Sequence, residues 1–271
     1  MSINKKMNHF QFDEYRMKLI KEKNIAKLIK TYNYLAGKKD PNTKNFWNKK
    51  IEKGKIFTEL DPMSKDRIFQ AVKMVQGENG KILDLGFGYG YFEEGIKQER
   101  ENFQLYGIDI SNFAVEQAKR KYGKNFFTGS IFKIPFKNKF FDFVVSLECL
   151  EHIPSNKIFG TLNEIKRVLK TTGKAIFSIP INEKYTPFYN PNNHLRRYSK
   201  ELFIQELIIA GFKVEKIIQL YAFSSFYSFK KIIQKILPHK WKPNVLLVRC
   251  SIYKERAYKD SPRRVIKKEL K

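Results

Sequence analysis

Between residues 81 and 181, five short apolar runs alternate with polar stretches of helical length. The runs are 81–86 (KILDLG), 103–110 (FQLYGIDI), 125–131 (NFFTGSI), 140–149 (FFDFVVSLEC) and 174–181 (KAIFSIPI). Helices are predicted between them. The first, over 92–101, carries Glu93 and Glu94 in its opening turn, where the helix dipole favours acids. The second runs to about Tyr122 with Ser111 as its cap. The third, over 157–170, places Ile158, Leu162, Ile165 and Leu169 on one face before 171–173 ends it. A further helix is predicted over 199–212, capped by Ser199 and stopped by Gly211, with strands at 212–221 and 244–254. Strands alternating with helices of this length make βαβ units, hence a mostly parallel sheet with helices on both faces. The fourth run is apolar throughout, as a doubly covered strand should be. The expectation is an α/β, doubly wound, seven-stranded, mostly parallel sheet whose last strand is antiparallel. A helical N-terminal extension (1–75) precedes this domain (76–254), which carries an insertion (221–244) between strands six and seven. A basic tail (255–271) follows.

Charge has to be placed on this framework before it means anything. The 271 residues carry 53 Lys plus Arg against 27 Asp plus Glu, a net charge of +26. The segment 81–180 is nearly balanced, with 15 basic and 11 acidic residues, whereas 1–80 has 18 and 9, and 181–271 has 20 and 7. The excess therefore sits on the flanks, where it suggests a polyanion or an anionic membrane surface. AT-rich coding would also enrich Lys, Asn, Ile, Phe and Tyr, but it would enrich Glu equally, so it explains only part of the excess. No apolar run reaches the roughly 18 residues of a spanning helix, and the N-terminal lysines have no apolar stretch behind them that would make a secretory leader. Two cysteines, Cys149 and Cys250, give no disulfide framework, and no His/Asp/Cys cluster in the sequence suggests a metal. A reduced, cytoplasmic protein, with membrane association left open, is the expectation.

The first βα turn reads Asp84-Leu85-Gly86-Phe87-Gly88-Tyr89-Gly90. Glycines there permit a tight turn and let a ligand approach the backbone at a helix start. The dinucleotide fingerprint wants Gly or Ala where this chain has Tyr91, and Asp84 would repel a pyrophosphate. An acid at that place suits a cationic ligand. The second strand ends at Asp109, 23 residues after Gly86, near the spacing of about 20 typical of an acid that bonds ribose hydroxyls. A structural reading stands beside each: a turn that only closes a corner, and an Asp that only caps the next helix.

Taken together, these segments resemble a class I S-adenosylmethionine (SAM)-dependent methyltransferase of the small-molecule type. Asp-x-Gly-x-Gly-x-Gly resembles the family's first motif, and Gly107-Ile108-Asp109-Ile110-Ser111 its second. Phe141 to Ile153 resembles the fourth strand and following turn, and Leu162 to Ile179 the next segment; the match covers about residues 80–220. The resemblance implies SAM as cofactor, with Asp84, Gly86, Gly88 and Gly90 lining its methionyl part, Asp109 on the ribose and Ile110 beside the adenine. Ser130 and Ile131 follow the third strand, where the family often has an Asp against the adenine amino group; Ser130 departs from that. Leu147 and Glu148 would end the fourth strand near the reactive methyl. A Glu-His pair such as Glu151-His152 is common near the family's active site, and stretches like His194-Leu195-Arg196-Arg197-Tyr198 recur in its small-molecule enzymes.

Candidate bases for a hydroxyl nucleophile are His152, His194 and Glu148. Arg196 or Arg197, with Tyr198 beside them, would bind a carboxylate or phosphate of the acceptor. The fourth strand lacks the Pro-Pro-aromatic ending that the family uses on planar amino groups, and Cys149 lies outside a Pro-Cys context, so adenine, glutamine and cytosine C5 targets are disfavoured. The expected reaction is methyl transfer to a hydroxyl, carboxyl or amine of a small or lipid-linked acceptor such as a sugar or quinone. The alternative is a tRNA or rRNA methyltransferase using the basic flanks, and a scaffold that has lost turnover is a third reading. The insertion bears on this choice. Phe226, Phe229, Ile232, Ile233, Ile236 and Leu237 fall near one helical face and Lys230, Lys231 and Lys235 on the rest. That pattern fits a lid packed on the sheet, an amphipathic helix on an anionic bilayer, or a surface for unpaired bases.

Overall fold

The computed structural model describes residues 9–21, 40–54, 60–184, 190, 192–223, 225–237 and 241–253. The tail expected over 255–271, the rest of 1–75 and parts of the 182–198 and 221–244 segments lie outside the described residues.

Seven strands form one sheet: β1 (Gly80–Leu85), β2 (Phe103–Asp109), β3 (Phe126–Thr128), β4 (Phe141–Leu147), β5 (Leu169–Pro180), β6 (Phe212–Leu220) and β7 (Val245–Ile252). Their spatial order is β3-β2-β1-β4-β5-β7-β6. β7 pairs antiparallel with both β5 and β6, and the remaining pairings are parallel, as expected from the sequence. The chain builds outward from β1 to β3, then returns to place β4 against the other side of β1. This reversal opens a crevice at the carboxyl ends of β1 and β4, where open α/β sheets bind ligands.

Eight helices are described: α1 (His9–Lys21), α2 (Lys44–Gly54), α3 (Pro62–Met74), α4 (Tyr91–Glu99), α5 (Asn112–Tyr122), α6 (Ile158–Val168), α7 (Lys200–Ile209) and α8 (Tyr227–Ile236). Alternation along the strands sends side chains to two cores. Leu83, Val144, Ala175 and Phe177 meet α1, α6 and α7 on one face, while Ile82, Val145 and Ile176 meet α2 to α5 on the other. α6 shows why its sequence is helical: Ile158, Leu162 and Ile165 recur along one stripe and are all buried. The break after α6 comes earlier than expected. Leu169 leaves the helix to pair with Phe141, so β5 starts at 169, and Gly173 is kept small because a Cβ there would lie 2.8 Å from the Asp142 carbonyl oxygen. Ser111 caps α5 by accepting from the Ala114 N–H at 3.2 Å, whereas Ser199 sits at the start of α7 without a side-chain cap bond.

The N-terminal helices are built into the domain. Arg16 of α1 is buried, and its Nε and Nη2 each donate at 3.0 Å, to the Ile208 and Ile209 carbonyls at the end of α7. Asn48 of α2 accepts from Ser111 Oγ at 2.8 Å, which ties α2 to the start of α5. α3 packs on α4. The consequence is that α2 and α3 roof the crevice at the end of β1.

Candidate cofactor and acceptor site

A cavity of about 510 Å³ occupies the crevice. Its floor is the loop after β1 and the ends of β2 and β4; its roof includes Trp47 and Lys50 of α2 and Arg67 and Ile68 of α3. Asp84, Gly86, Gly88, Asp109, Ile110, Ser130, Ile131, Leu147, Glu148 and His152 all line it, so most of the residues expected from sequence converge. Gly90 starts α4 behind them in a left-handed conformation.

The loop geometry explains two of its glycines. Gly86 has φ +75°, and a Cβ would lie 2.6 Å from Cys149 Sγ, so both backbone and space exclude a side chain. Gly88 has φ +53° and a Cβ would meet no protein atom within 4 Å; it leaves a cradle along the cavity wall. Its N–H donates to Asp109 Oδ2 at 2.9 Å, and the Ser111 N–H donates to Oδ1 at 2.8 Å. These bonds fix the carboxylate while leaving each oxygen a further lone pair for a hydroxyl.

Behind the loop, three buried acids gather without a described cationic partner: Asp84, Glu93 and Asp109. Burial pushes Asp84 up to about 7, opposed by its contact with Glu93 and reinforced by the charge of Asp109. Burial likewise lifts Glu93 well above the carboxylate range, with the charge of Asp84 adding to it. Asp84 Oδ1 has no hydrogen-bond partner. A site built this way is stabilised by a cation and disfavours a phosphate. At the opposite wall, Ile110 and Ile131 present apolar surface, and Ser130 Oγ accepts from the Phe132 N–H at 3.2 Å. The exposed Phe132 ring joins this wall, a residue that no motif singled out.

These features fit SAM on this chain's own atoms: an acidic cradle for its ammonium and sulfonium, a held carboxylate for the ribose hydroxyls, and an apolar slot for the adenine. A family description, "Methyltransferase domain", matches residues 83–177. The chain is 31% identical to the Methanocaldococcus jannaschii protein MJ0638 over 183 residues, covering 65% of this chain and 76% of that one. It is also 31% identical to the putative methyltransferase YrhH of Bacillus subtilis over 143 residues, covering 51% and 75%. The chain belongs to the class I SAM-dependent methyltransferases. A SAM-dependent methyltransferase structure from Aquifex aeolicus shares the fold at a TM-score of 0.52 and 21% identity, covering 76% of this chain and 98% of that one.

SAM, when bound to this methyltransferase, supplies a methyl group already activated by the sulfonium charge, and transfer is an in-line displacement that depends chiefly on positioning. The end of β4 forms one end of the cavity. Glu148 stands there at φ +53°, a conformation rare for a non-glycine residue and typical of functional turns. Its N–H donates to the Ser178 carbonyl at 3.1 Å, Ser178 Oγ donates to its Oε1 at 2.9 Å, and Arg67 Nη1 lies 3.2 Å from its Oε2. Arg67, from the N-terminal extension, was invisible in sequence because α3 reaches the site only through the tertiary fold.

The next turn holds Glu151 and His152. Burial, with His194 adding to it, holds the His152 imidazole down to about 3, so it is neutral at physiological pH. Its Nδ1 lies 3.3 Å from the Asn193 carbonyl, which can only accept, so Nδ1 carries the proton and Nε2 faces Glu151. The ring edge packs on Trp47. Both His152 and Glu148 line the cavity, His152 as a neutral imidazole and Glu148 as a carboxylate held by Ser178 and Arg67.

Three expectations need correction. His194 is buried behind His152, outside the cavity lining. Arg196 and Tyr198 are not acceptor ligands: both are buried and engage Glu206 of α7, Arg196 Nη1 donating at 2.7 Å and Tyr198 OH at 2.9 Å. Arg196 Nη2 also donates to the Leu150 carbonyl at 2.8 Å. Arg197 is exposed and does not line the cavity. The arginine that does line the cavity is Arg67, and its guanidinium is paired with Glu148. Nor does the sequence's lack of a metal-capable cluster survive folding, because Glu151, His152 and His194 come together.

Proposed function

We propose that this methyltransferase acts on an oxygen or nitrogen nucleophile of a small acceptor carried at an anionic membrane surface, such as a lipid-linked sugar or quinone. The observation that carries the reading is α8. Phe226, Phe229, Ile232, Ile236 and Leu237 are 77%, 64%, 58%, 72% and 52% exposed, so the apolar side of the insertion faces outward. Its polar side holds it to the body: Tyr227 OH and Lys231 Nζ both donate to Asp66 of α3, at 3.0 and 2.6 Å. A helix with apolar side chains outward and lysines along its flank suits the interface of an anionic bilayer. The lid reading is weakened, since none of the described insertion residues lines the cavity. The docked face is nonetheless near it, because Arg67 and Ile68, which do line the cavity, follow Asp66 directly. Cytoplasmic location with peripheral membrane contact goes with this reading. The RNA alternative shares the basic flanks and would find stacking rings in Phe226 and Phe229, but it gives no account of the exposed Ile232, Ile236 and Leu237 beside them.

The test is incubation with methyl-labelled SAM and, in parallel, a total lipid extract in vesicles, a soluble metabolite extract, and bulk tRNA and rRNA. Label in the lipid fraction, reduced 10²-fold or more by Glu148→Gln with SAM affinity unchanged, is the expected outcome for loss of a general base. Label confined to RNA, and falling steeply with salt, would replace the proposal with the alternative.

A further inference from the structure

Glu151 is fully buried, and neither carboxylate oxygen has a hydrogen-bond partner among the described residues. That is costly unless something compensates it. Its Oε1 is 3.9 Å from His152 Nε2 and 3.9 Å from His194 Nε2, with 10% and 8% exposure of the two imidazole side chains. The spacing is too long for a hydrogen bond and only slightly wider than that of two atoms ligating one ion at about 2.0–2.2 Å. Each imidazole is oriented from behind. His194 Nδ1 lies 2.9 Å from Glu183 Oε2, and His152 Nδ1 lies 3.3 Å from the Asn193 carbonyl. Both partners accept, so both rings carry hydrogen on Nδ1 and turn Nε2 toward the carboxylate. An outer carboxylate or carbonyl on the far nitrogen is the arrangement that prepares histidines for metal ligation.

The backbone holds the three groups together. The Glu151 carbonyl accepts from the Leu195 and Arg196 N–H groups at 2.9 and 3.1 Å, clasping the loop after β5 to the turn after β4. Asn190 fixes the same loop, its Oδ1 accepting from the His194 N–H at 3.0 Å and its Nδ2 donating to the His194 carbonyl at 2.7 Å. The charges facing the cluster are Glu148, Glu151 and Glu183 against Lys50 and Arg67. None of these groups gives the Glu151 carboxylate a hydrogen bond among the described residues.

We infer that Glu151, His152 and His194 form a binding site for a divalent transition cation, zinc being the best match for two imidazoles and one carboxylate. Three protein ligands leave a fourth position. The ion would pin the loop after β5 to the turn after β4, directly behind the His152 side of the acceptor wall. This site is independent of the acceptor proposed above, and it is tested without methyl transfer.

The full chain is stripped by a chelator, dialysed against Zn²⁺ and assayed for bound metal, and Co²⁺ is titrated while its visible absorption is followed. SAM binding by calorimetry on the same samples reports that the fold is intact. One ion per chain is expected, with Co²⁺ bands of a four- or five-coordinate site. Glu151→Gln and His194→Gln should each weaken uptake by more than 100-fold. Glu183→Gln, which leaves all three ligands in place, should weaken it about 10- to 100-fold. Wild-type protein that binds SAM yet takes up neither ion overturns the inference, as does uptake unchanged by Glu183→Gln and by a SAM-competent Glu151→Gln.

Discussion

Asp84 shows how a single carboxylate can tune a cofactor site. Its carboxyl is pushed from an ordinary 3.8 up to about 7 in the fold, because burial and the charge of Asp109 disfavour ionisation. A raised carboxylate pKa means that the folded protein binds more protons than the unfolded chain between these values. Its contribution to the stability of the cofactor-free protein is thus full below 3.8 and is lost as pH rises through about 7. A cationic ligand reverses the preference, since it pairs only with the ionised form. SAM affinity should therefore strengthen as pH rises toward 7, by up to about tenfold per unit, and level off above it. Calorimetry in buffers of different ionisation enthalpy would show proton release on binding at pH 6. Asp84→Asn should remove both the proton release and the slope; a slope that persists in that variant would assign it to another group. This residue was legible in the sequence because its meaning is local: strand, acid and glycines lie within seven positions. Arg196 and Tyr198 were misread for the opposite reason. Their partner Glu206 is on the next helix, and a sequence motif cannot say whether a guanidinium faces a ligand or a buried carboxylate.

At the scale of elements, periodicity identified α8 and the residues of its apolar side but left open which way that side turns. The fold decides it through two bonds to Asp66, which put Tyr227 and Lys231 inward and Phe229 and Ile232 outward. Burying a large apolar side chain is worth about 1.5–3 kcal/mol. Replacing both Phe229 and Ile232 with Ser should therefore lower partitioning onto phosphatidylserine-containing vesicles at least 100-fold in a sedimentation assay, while SAM affinity stays unchanged. Equal sedimentation of the variant would remove α8 from the membrane reading. Strand direction was similarly readable, because alternating strands and helices imply parallel pairing and the weak crossover signal before the last strand allows an antiparallel one, whereas the order β3-β2-β1-β4-β5-β7-β6 came only from the fold. The roof over the cavity was not. α2 has a helical sequence, but it is tertiary contacts, among them Asn48 with Ser111 Oγ and Tyr89 OH with the Lys50 carbonyl, that place Trp47 and Lys50 over the glycine loop. The Glu151–His152–His194 cluster escaped notice likewise, since His194 is brought in by a loop clasped 41 residues further on.

For the whole molecule, the net charge of +26 separates into a nearly neutral catalytic sheet and basic flanks. From residue 224 to the end there are 14 basic and 3 acidic residues, and the exposed apolar row of α8 lies within that segment. The two features have different responses to salt. Attraction between the basic flank and an anionic surface is screened once the Debye length falls from about 30 Å at 0.01 M to about 10 Å at 0.1 M, whereas the burial of Phe and Ile in an interface is not weakened by salt. A bilayer partner therefore predicts two-part behaviour: association with anionic vesicles falls as salt rises from 0.01 M, then settles on a plateau that the Phe229 and Ile232 substitutions abolish. Neutral phosphatidylcholine vesicles should show the plateau alone. An RNA partner predicts continuous decline, log-linear in salt and without a plateau, because counterion release dominates its affinity. Vesicle flotation and RNA filter binding over the same salt series, with the wild type and the double variant side by side, separate the two. A double variant that keeps the high-salt plateau would sink the bilayer reading of the charge.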